Sequence, residues 1–352
     1  MAQRWKNRPA GSNWGEFGPD DQRGRMNWVT REKVLQGIAE VKEGLSFCLS
    51  LPLDYPGGSV LNPRRNPPRL FATLRDGKGA GRQNFCYPLG ADNPNHSDVV
   101  CDDLVLLTLQ YSTQWDSFAH IGSRFDADGD GKPEIVFYNG FRAGEDIVPA
   151  KENPGAPEPW ARFEGTEAKA LGIQNLAEHG AQGRAVMIDL NAHFGRERRA
   201  VTYDELMRVM EADKVAVEKG DFVCLHTGFA DVILELRKKP DPKLLHGTCS
   251  GLDGRDDKLL KWISDSGLSC LIADNYAVEL IPTSIFKPAP HALMPLHEHC
   301  IFKNGIHLGE LFHLGPLARW LREHRRNRFL FTAPPLRLPG AVGSPAAAVA
   351  TV

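Results

Sequence analysis

The feature that most constrains the fold of this chain is a series of short apolar runs that each end in polar residues. Three such runs cover residues 183–190, 221–228 and 269–275. Short, continuous apolar runs are typical of strands that are buried on both faces of a sheet. Helix patterns lie between them, namely a Ser/Thr-x-x-Glu capping box at Thr202 and an amphipathic segment at residues 255–266. Strands that alternate with helices predict the α/β class.

Composition divides the 352 residues into three segments. Residues 1–30 are polar and glycine-rich, which predicts an N-terminal arm. Residues 31–330 carry the α/β pattern. Their length predicts a single domain that can bury a large hydrophobic core. Residues 331–352 are small and proline-rich, which predicts an extended C-terminal tail. Within the domain, a Pro/Gly/Arg-rich loop at residues 54–70 predicts either a lid or binding loop, or a surface decoration.

Charge and cysteine usage narrow the class of protein. The net charge of −2 gives no electrostatic attraction for nucleic acid or for an anionic membrane. No run of about 18 apolar residues is present, so the sequence predicts no membrane span. The seven cysteines are scattered without a Cys-x-x-Cys pair, which favours core thiols of a reducing cytoplasm over a disulfide framework. These features indicate a cytoplasmic protein whose partner is a small molecule.

The stretch that offers the clearest candidates for metal binding and proton transfer runs from residue 110 to residue 120. It follows an apolar run at residues 104–109, which predicts a buried strand. If a helical turn follows that strand, Asp116 and His120 stand four residues apart on one face. A carboxylate and an imidazole so placed can share a metal ion, or one can bind metal while the other moves protons. The alternative is a buried Asp–His pair that caps a turn.

A second segment offers further ligands near the end of the domain. Catalytic metals are usually held by three protein ligands plus water. A helical start at His297 would point an imidazole inward, and a strand after Gly305 would carry Glu310 inward. Further histidines nearby at 291, 299 and 307 are predicted to be surface or core residues.

An acidic loop imitates a calcium site. Asp126, Asp128 and Asp130 occupy loop positions 1, 3 and 5 of an EF-hand, with glycine at position 6. Position 12 is Phe137, so the bidentate glutamate is missing. The pattern therefore favours a tight turn of small polar residues over a structural calcium ion.

Read in full, residues 110–120 resemble the motif of the metal-dependent cyclase family, which includes kynurenine formamidases and isatin hydrolases. That motif is His-x-Gly-Thr-His-x-Asp-x-Pro-x-His, and here Thr113, Asp116 and His120 match it. Gln110 and Gln114 stand where the two leading histidines would be, as in a Gln-Trp-Asp branch of the family. Neutral glutamine is a far weaker ligand than imidazole, so one metal ion is expected rather than two.

The resemblance implies a fold, a metal site and an activity. The fold would be the swivelling β/β/α type, with a mixed sheet and flanking helices. One divalent ion, zinc or manganese, would be held by Asp116, His297 and Glu310, with Gln114 or Gln110 as a weak oxygen ligand; His299 is the alternative to His297. The activity would be hydrolysis of a small cyclic amide, a lactone or an aryl formamide, in a homodimer or larger homo-oligomer.

The remaining roles follow from that hypothesis. His120 would shuttle a proton to the leaving atom, because histidine exchanges protons readily near neutral pH. Trp115, Phe118 and Tyr138 would line a pocket for a flat or cyclic substrate, although aromatic residues more often pack in the core. Two alternatives stay open. The same ligands would serve a metal-assisted cyclisation, dehydration or isomerisation, and the two glutamines would suit a non-catalytic protein that binds small molecules.

Overall fold

A nine-stranded mixed sheet forms the centre of the molecule. The computed structural model describes residues 3–76, 81–281 and 290–352. With the strands numbered in chain order, the order across the sheet is β1 (Ser46–Cys48), β21 (Val349–Thr351), β19 (Arg328–Thr332), β13 (Gln182–Asp189), β15 (Phe222–His226), β17 (Cys270–Ala273), β18 (His307–Glu310), β6 (Gln114–Asp116) and β20 (Gly343–Pro345). Strands β13, β15, β17 and β18 are parallel to one another, and the other pairings are antiparallel. The prediction of an α/β chain is thereby confirmed.

Many of the remaining strands form two-stranded ribbons around this sheet. The strands of the described residues are, in chain order, β1 (Ser46–Cys48), β2 (Arg69–Ala72), β3 (Tyr87–Pro88), β4 (Val99–Val100), β5 (Asp103–Leu106), β6 (Gln114–Asp116), β7 (Ser123–Phe125), β8 (Glu134–Val136), β9 (Ile147–Val148), β10 (Lys151–Glu152), β11 (Phe163–Glu164), β12 (Glu167–Ala168), β13 (Gln182–Asp189), β14 (Arg199–Val201), β15 (Phe222–His226), β16 (Ser250–Leu252), β17 (Cys270–Ala273), β18 (His307–Glu310), β19 (Arg328–Thr332), β20 (Gly343–Pro345) and β21 (Val349–Thr351).

The helices are short, and several of them begin at a residue whose side chain caps the helix. Thr202 and Glu205 form the predicted capping box of one of them, and Thr30 and Asp256 cap two others. The α-helices of the described residues are α1 (Arg31–Ala39), α2 (Gln174–His179), α3 (Leu190–Phe194), α4 (Tyr203–Ala212), α5 (Phe229–Glu235), α6 (Pro242–Gly247), α7 (Asp257–Asp265), α8 (Pro295–His297) and α9 (Gly315–Glu323).

Two hydrophobic cores cover the two faces of the sheet. Along β13, Val186 and Ile188 belong to one core while Ala185 and Met187 belong to the other. This alternation follows from the two-residue period of a strand. Because both faces are covered, the central strands are apolar at nearly every position, which explains the continuous runs in the sequence.

The apolar run at residues 104–109 departs from its prediction. Its first residues lie in β5, which among the described strands pairs with β2, and Leu104 and Val105 are 48% and 47% exposed. An apolar run predicts a strand but does not say what covers it. In contrast, the predicted tail contributes β20 and β21 to the central sheet, so the last residues are structural strands.

Candidate metal centre

The Gln-Trp-Asp stretch lies on strand β6, and the predicted helical turn is wrong. Strand geometry sends the side chains of Gln114 and Asp116 to one face and that of Trp115 to the other. The chain then turns, and His120 Nε2 lies 3.7 Å from Asp116 Oδ1. The carboxylate and the imidazole meet as predicted, but they do so across a strand and a turn.

Strand β18 brings Glu310 to the same face as Asp116. The antiparallel register places Glu310 opposite Gln114, a residue 196 positions away in the sequence. Gln114 Nε2 donates a hydrogen bond of 3.0 Å to Glu310 Oε2. Sheet pairing therefore joins the two sequence segments that were singled out separately.

His297 completes the group from the last position of α8. Its Nε2 lies 3.3 Å from Glu310 Oε1, and its Nδ1 donates a hydrogen bond of 2.8 Å to Glu279 Oε1. Glu279 also accepts the backbone amides of Leu296 and His297, both at 3.1 Å. These bonds fix the orientation of the ring, so that Nε2 faces the carboxylates.

The three predicted ligands form one buried cluster. Ligand atoms of Asp116, His297 and Glu310 all lie within 4.8 Å of one another. Both carboxylate oxygens of Asp116 are buried and have no hydrogen-bond partner among the described residues. A buried carboxylate without partners is costly unless a cation compensates it. Two carboxylates and an imidazole are a donor set that suits zinc or manganese, so these residues fit a divalent ion.

The electrostatics of the cluster agree with this interpretation. Burial raises the pKa of Asp116, although the nearby His120 opposes the effect. Burial alone would lower the pKa of His297, but its hydrogen bonds to Glu279 and Glu310 raise it to about 10. In the ion-free protein, a protonated His297 therefore compensates Glu310, while Asp116 keeps no hydrogen-bonded partner.

The two glutamines lie beside the cluster. The oxygen of the Gln114 side chain accepts a hydrogen bond of 3.4 Å from Arg65 Nη1, while its nitrogen is engaged by Glu310. Gln110 lines the adjoining cavity and packs against Gly343, where an added Cβ would lie 2.4 Å from Gln110 Nε2. The Gln114 side chain thus links the cation of Arg65 to the carboxylate of Glu310.

A cavity of about 710 Å³ opens onto the cluster. His120, His297 and Glu310 form part of its wall, together with many residues of the predicted loop at 54–70. The loop at residues 54–70 therefore forms part of the cavity wall. Tyr111 and Tyr276 are the aromatic residues of the described wall.

The three aromatic residues predicted to bind substrate lie in the core instead. Trp115, Phe118 and Tyr138 are each fully buried and are not part of the cavity wall. The Trp115 indole donates to the backbone oxygen of Ala333 at 2.7 Å on the far side of the sheet. Phe118 stacks on His307 with ring centroids 4.0 Å apart. For Trp115, closeness in sequence misled the prediction, because the two-residue period of a strand turns neighbouring side chains to opposite faces.

The neighbouring histidines have other roles. His299, the alternative ligand, lies within 2.9 Å of Ser264 Oγ and is not part of the cluster. His307 Nδ1 donates a hydrogen bond of 2.9 Å to the backbone oxygen of Asp116. Burial lowers the pKa of both histidines to about 4, so both rings are neutral near pH 7.

The acidic loop bonds largely to itself. Oxygens of Asp126, Asp128 and Asp130 lie within 4.8 Å of one another. The Asp126 carboxylate accepts the backbone amides of Gly129, Asp130 and Gly131 at 2.8–3.0 Å. These bonds are those of a tight polar turn.

Two residues of the site were missed by sequence reasoning. Glu279 holds His297, and Arg65 contacts Gln114 and Glu310. Neither residue stands at a diagnostic spacing from the motif, so only the Arg-rich composition of the loop pointed toward one of them. Within the described ranges, no helix has the length and apolarity that a membrane span requires.

Comparisons with known proteins agree with the geometry. The chain matches the family model named Cyclase over residues 49–280. A solved structure described as a novel cyclase shares 26% identity and a TM-score of 0.69, with 97% of each chain covered. Isatin hydrolase A from Ralstonia solanacearum shares 13% identity and a TM-score of 0.52, covering 91% of this chain and 97% of that one.

Isatin hydrolase A from Labrenzia aggregata is similar at the same level, with 12% identity, a TM-score of 0.51 and coverage of 91% and 97%. At such identities the likeness concerns the fold alone. The comparison with curated protein sequences gave no match. The fold that the sequence resemblance implied is confirmed by these structures.

Proposed function

Because the chain belongs to the Cyclase family, we propose that it is a metal-dependent hydrolase that cleaves a carbonyl compound with metal-activated water. The observation that carries this proposal is the buried Asp116 carboxylate, whose oxygens have no hydrogen-bond partner among the described residues and which lies beside Glu310 and His297 at a cavity. A structural carboxylate would instead be satisfied by backbone or side-chain donors.

One divalent ion, zinc or manganese, would be held by Asp116, His297 and Glu310. When bound, such an ion supplies Lewis acidity and makes a coordinated water acidic. Glu279 fixes the His297 ring, so that Nε2 is presented to the ion while Nδ1 is occupied. His307 supports the other side of the site, because its Nδ1 donates a hydrogen bond to the backbone oxygen of Asp116.

His120 is the residue placed to move protons. It forms part of the cavity wall, its side chain is 20% exposed, and its Nε2 lies 3.7 Å from Asp116 Oδ1. From this position it accepts a proton from the attacking water and passes it to the leaving nitrogen or oxygen. A general acid–base residue must reach both the reacting atoms and the solvent, and this location provides both.

The cavity favours a small substrate. Its volume of about 710 Å³ lies within the range of about 300–1,000 Å³ that is usual for small-molecule sites. We propose a cyclic amide, a lactone or an aryl formamide as the substrate, because each is a small carbonyl compound that metal-activated water can cleave. Members of the same fold include isatin hydrolases, which supports ring opening.

A second candidate is a metal-assisted cyclisation, in which the same ligands and His120 would act on a different substrate. The observation that favours it is the similarity to the structure described as a novel cyclase, which covers 97% of each chain.

The test begins with metal content, measured by plasma mass spectrometry on untagged protein dialysed without chelator. The same protein is then screened with lactones, cyclic amides and aryl formamides while acid release is followed. About one zinc or manganese per chain together with acid release supports hydrolysis. Metal with ring closure of an open-chain acid favours the cyclase, and protein without a transition metal contradicts both.

A further inference from the structure

The loop at residues 54–70 holds a cation, Arg65, against the candidate metal ligands. It is fixed on both sides of Arg65, because Tyr111 Oη donates to the backbone oxygen of Gly58 at 2.7 Å and Thr108 Oγ1 accepts the Asn66 amide at 3.1 Å. Tyr111 is itself buried. The guanidinium of Arg65 is thus carried on an anchored segment rather than on a free loop tip.

Arg65 reaches into the site with one of its nitrogens. Nη1 lies 3.4 Å from Gln114 Oε1 and 3.9 Å from Glu310 Oε2, and the side chain is 21% exposed. Both contacts involve Nη1. Among the described residues, the other guanidinium nitrogens have no hydrogen-bond or ion-pair partner, and the residue lines the cavity. The free donors of a planar guanidinium are suited to a carboxylate, which they bind in two parallel hydrogen bonds.

The charges of the cavity wall also favour the binding of a carboxylate. Arg64 and Arg65 are the permanently charged cations of the described wall, and Glu310 is its acid. A divalent ion would compensate Glu310 and Asp116 together. Arg65 would then be left without an equal and opposite charge on its cavity side, which favours an anionic ligand.

We propose that Arg65 is a specificity-determining residue that binds a carboxylate group of the substrate beside the metal ligands. This inference rests on the proposed function and narrows it to carbonyl compounds that carry an acid group. The short distance between Nη1 and Glu310 requires a compact molecule, in which the carboxylate and the reacting carbonyl are a few bonds apart.

The experiment measures binding to the zinc-loaded protein by titration calorimetry, with three probes that differ only in acid groups. Phthalate carries two adjacent carboxylates, benzoate carries one, and benzamide carries none. The variants are R65Q, R65K and, as a matched control, R64Q, because Arg64 lines the same wall but forms no hydrogen bond or ion pair with Gln114 or Glu310. Zinc content and thermal unfolding are recorded for every sample.

We expect wild type and R64Q to bind phthalate about tenfold to a hundredfold more tightly than benzoate, the range typical of hydrogen bonds to charged groups. R65Q should abolish that preference while its zinc content stays unchanged, and R65K should keep part of it. Equal binding of the two acids by wild type, or an unchanged preference in R65Q, would overturn the proposal. Loss of zinc in R65Q with the preference intact would also overturn it, because Arg65 would then only hold the carboxylates.

Failure of the proposed function is recognised separately. If wild type takes up no zinc, the metal-dependent hydrolase is contradicted, and benzoate is compared with benzamide on the same samples. A preference for benzoate that R65Q abolishes still supports the carboxylate site, and a preference that R65Q keeps overturns it.

Discussion

Two buried clusters of aspartate and histidine lie at the same edge of the central sheet, and they differ in how their oxygens are satisfied. One is the candidate metal centre. The other consists of Asp189, His226 and Asp274, at the carboxyl ends of β13, β15 and β17. His226 Nδ1 lies 2.7 Å from Asp189 Oδ1, and Arg322 pairs with the same aspartate.

In the second cluster, which we call the structural cluster, the backbone supplies the partners. Asp274 accepts hydrogen bonds of 2.6 and 2.8 Å from the amides of Thr227 and Gly228, and one of 2.7 Å from the Thr227 hydroxyl. Asp116 accepts none in the described part of the chain, and a cavity adjoins its cluster. The comparison shows that the same residue types form both clusters, and that the clusters differ in whether the central aspartate has hydrogen-bond partners.

The largest expected effect is the loss of metal in D116A. Removing the central carboxylate should lower occupancy from about one ion per chain to below about a tenth, because two ligands hold a divalent ion poorly. D274A is the matched control, since Asp274 is equally buried but has its partners within the chain. Plasma mass spectrometry of both folded variants measures the metal occupancy. Full occupancy in D116A would remove Asp116 from the ligand set.

The next effect concerns turnover in H120A. We expect kcat on the substrate found in the screen to fall about a hundredfold or more, while metal content stays near the wild-type level. H299A should leave kcat unchanged, because His299 bonds to Ser264 away from the cluster. Steady-state kinetics with metal analysis separates the two variants, and an unchanged kcat in H120A would exclude it as the proton carrier.

The free energy of unfolding should respond differently to substitution of the aspartate in each cluster. D274A leaves the amides of Thr227 and Gly228 without acceptors in the core, and we expect a loss of about 3–5 kcal/mol in the free energy of unfolding. In chelator, D116A should be as stable as wild type or more stable, because it removes a buried carboxylate that accepts no hydrogen bond from the described residues and loses only the 3.7 Å contact with His120. Urea unfolding of the metal-free proteins is the measurement. Equal destabilisation by both substitutions would remove the distinction.

The smallest effect is a dependence of stability on pH in the structural cluster. Burial alone would lower the pKa of His226, but its bond to Asp189 and the charge of Asp274 outweigh burial and raise it. A raised pKa stabilises the fold below the unfolded value of about 6.5, and that contribution is lost as pH rises through the folded value.

We therefore expect the unfolding free energy of wild type to fall more steeply than that of H226Q as pH increases above about 6.5. One proton can account for at most about 1.4 kcal/mol per pH unit. Urea titrations across this range test it, and parallel curves for the two proteins would show that His226 does not change its protonation on unfolding.

Local patterns were enough for the fold class and for part of the site. Continuous apolar runs predicted the buried strands β13, β15 and β17, and the capping box at Thr202 predicted the start of α4. The motif and the resemblance together named Asp116, His297 and Glu310, which the structure brings within 4.8 Å. These features depend on side-chain period and caps, which neighbouring residues determine.

What the sequence by itself determined is thus the α/β class, the helix starts and the identity of three candidate ligands. Only the tertiary structure decided which faces those residues occupy. It buried Trp115 behind the sheet, left β5 exposed and brought Glu279 and Arg65 to the cluster. The physical reason is that sheet pairing and loop anchoring join residues far apart in the chain. Whether a buried carboxylate has hydrogen-bond partners depends on those distant residues, and a local sequence pattern does not show which residues they are.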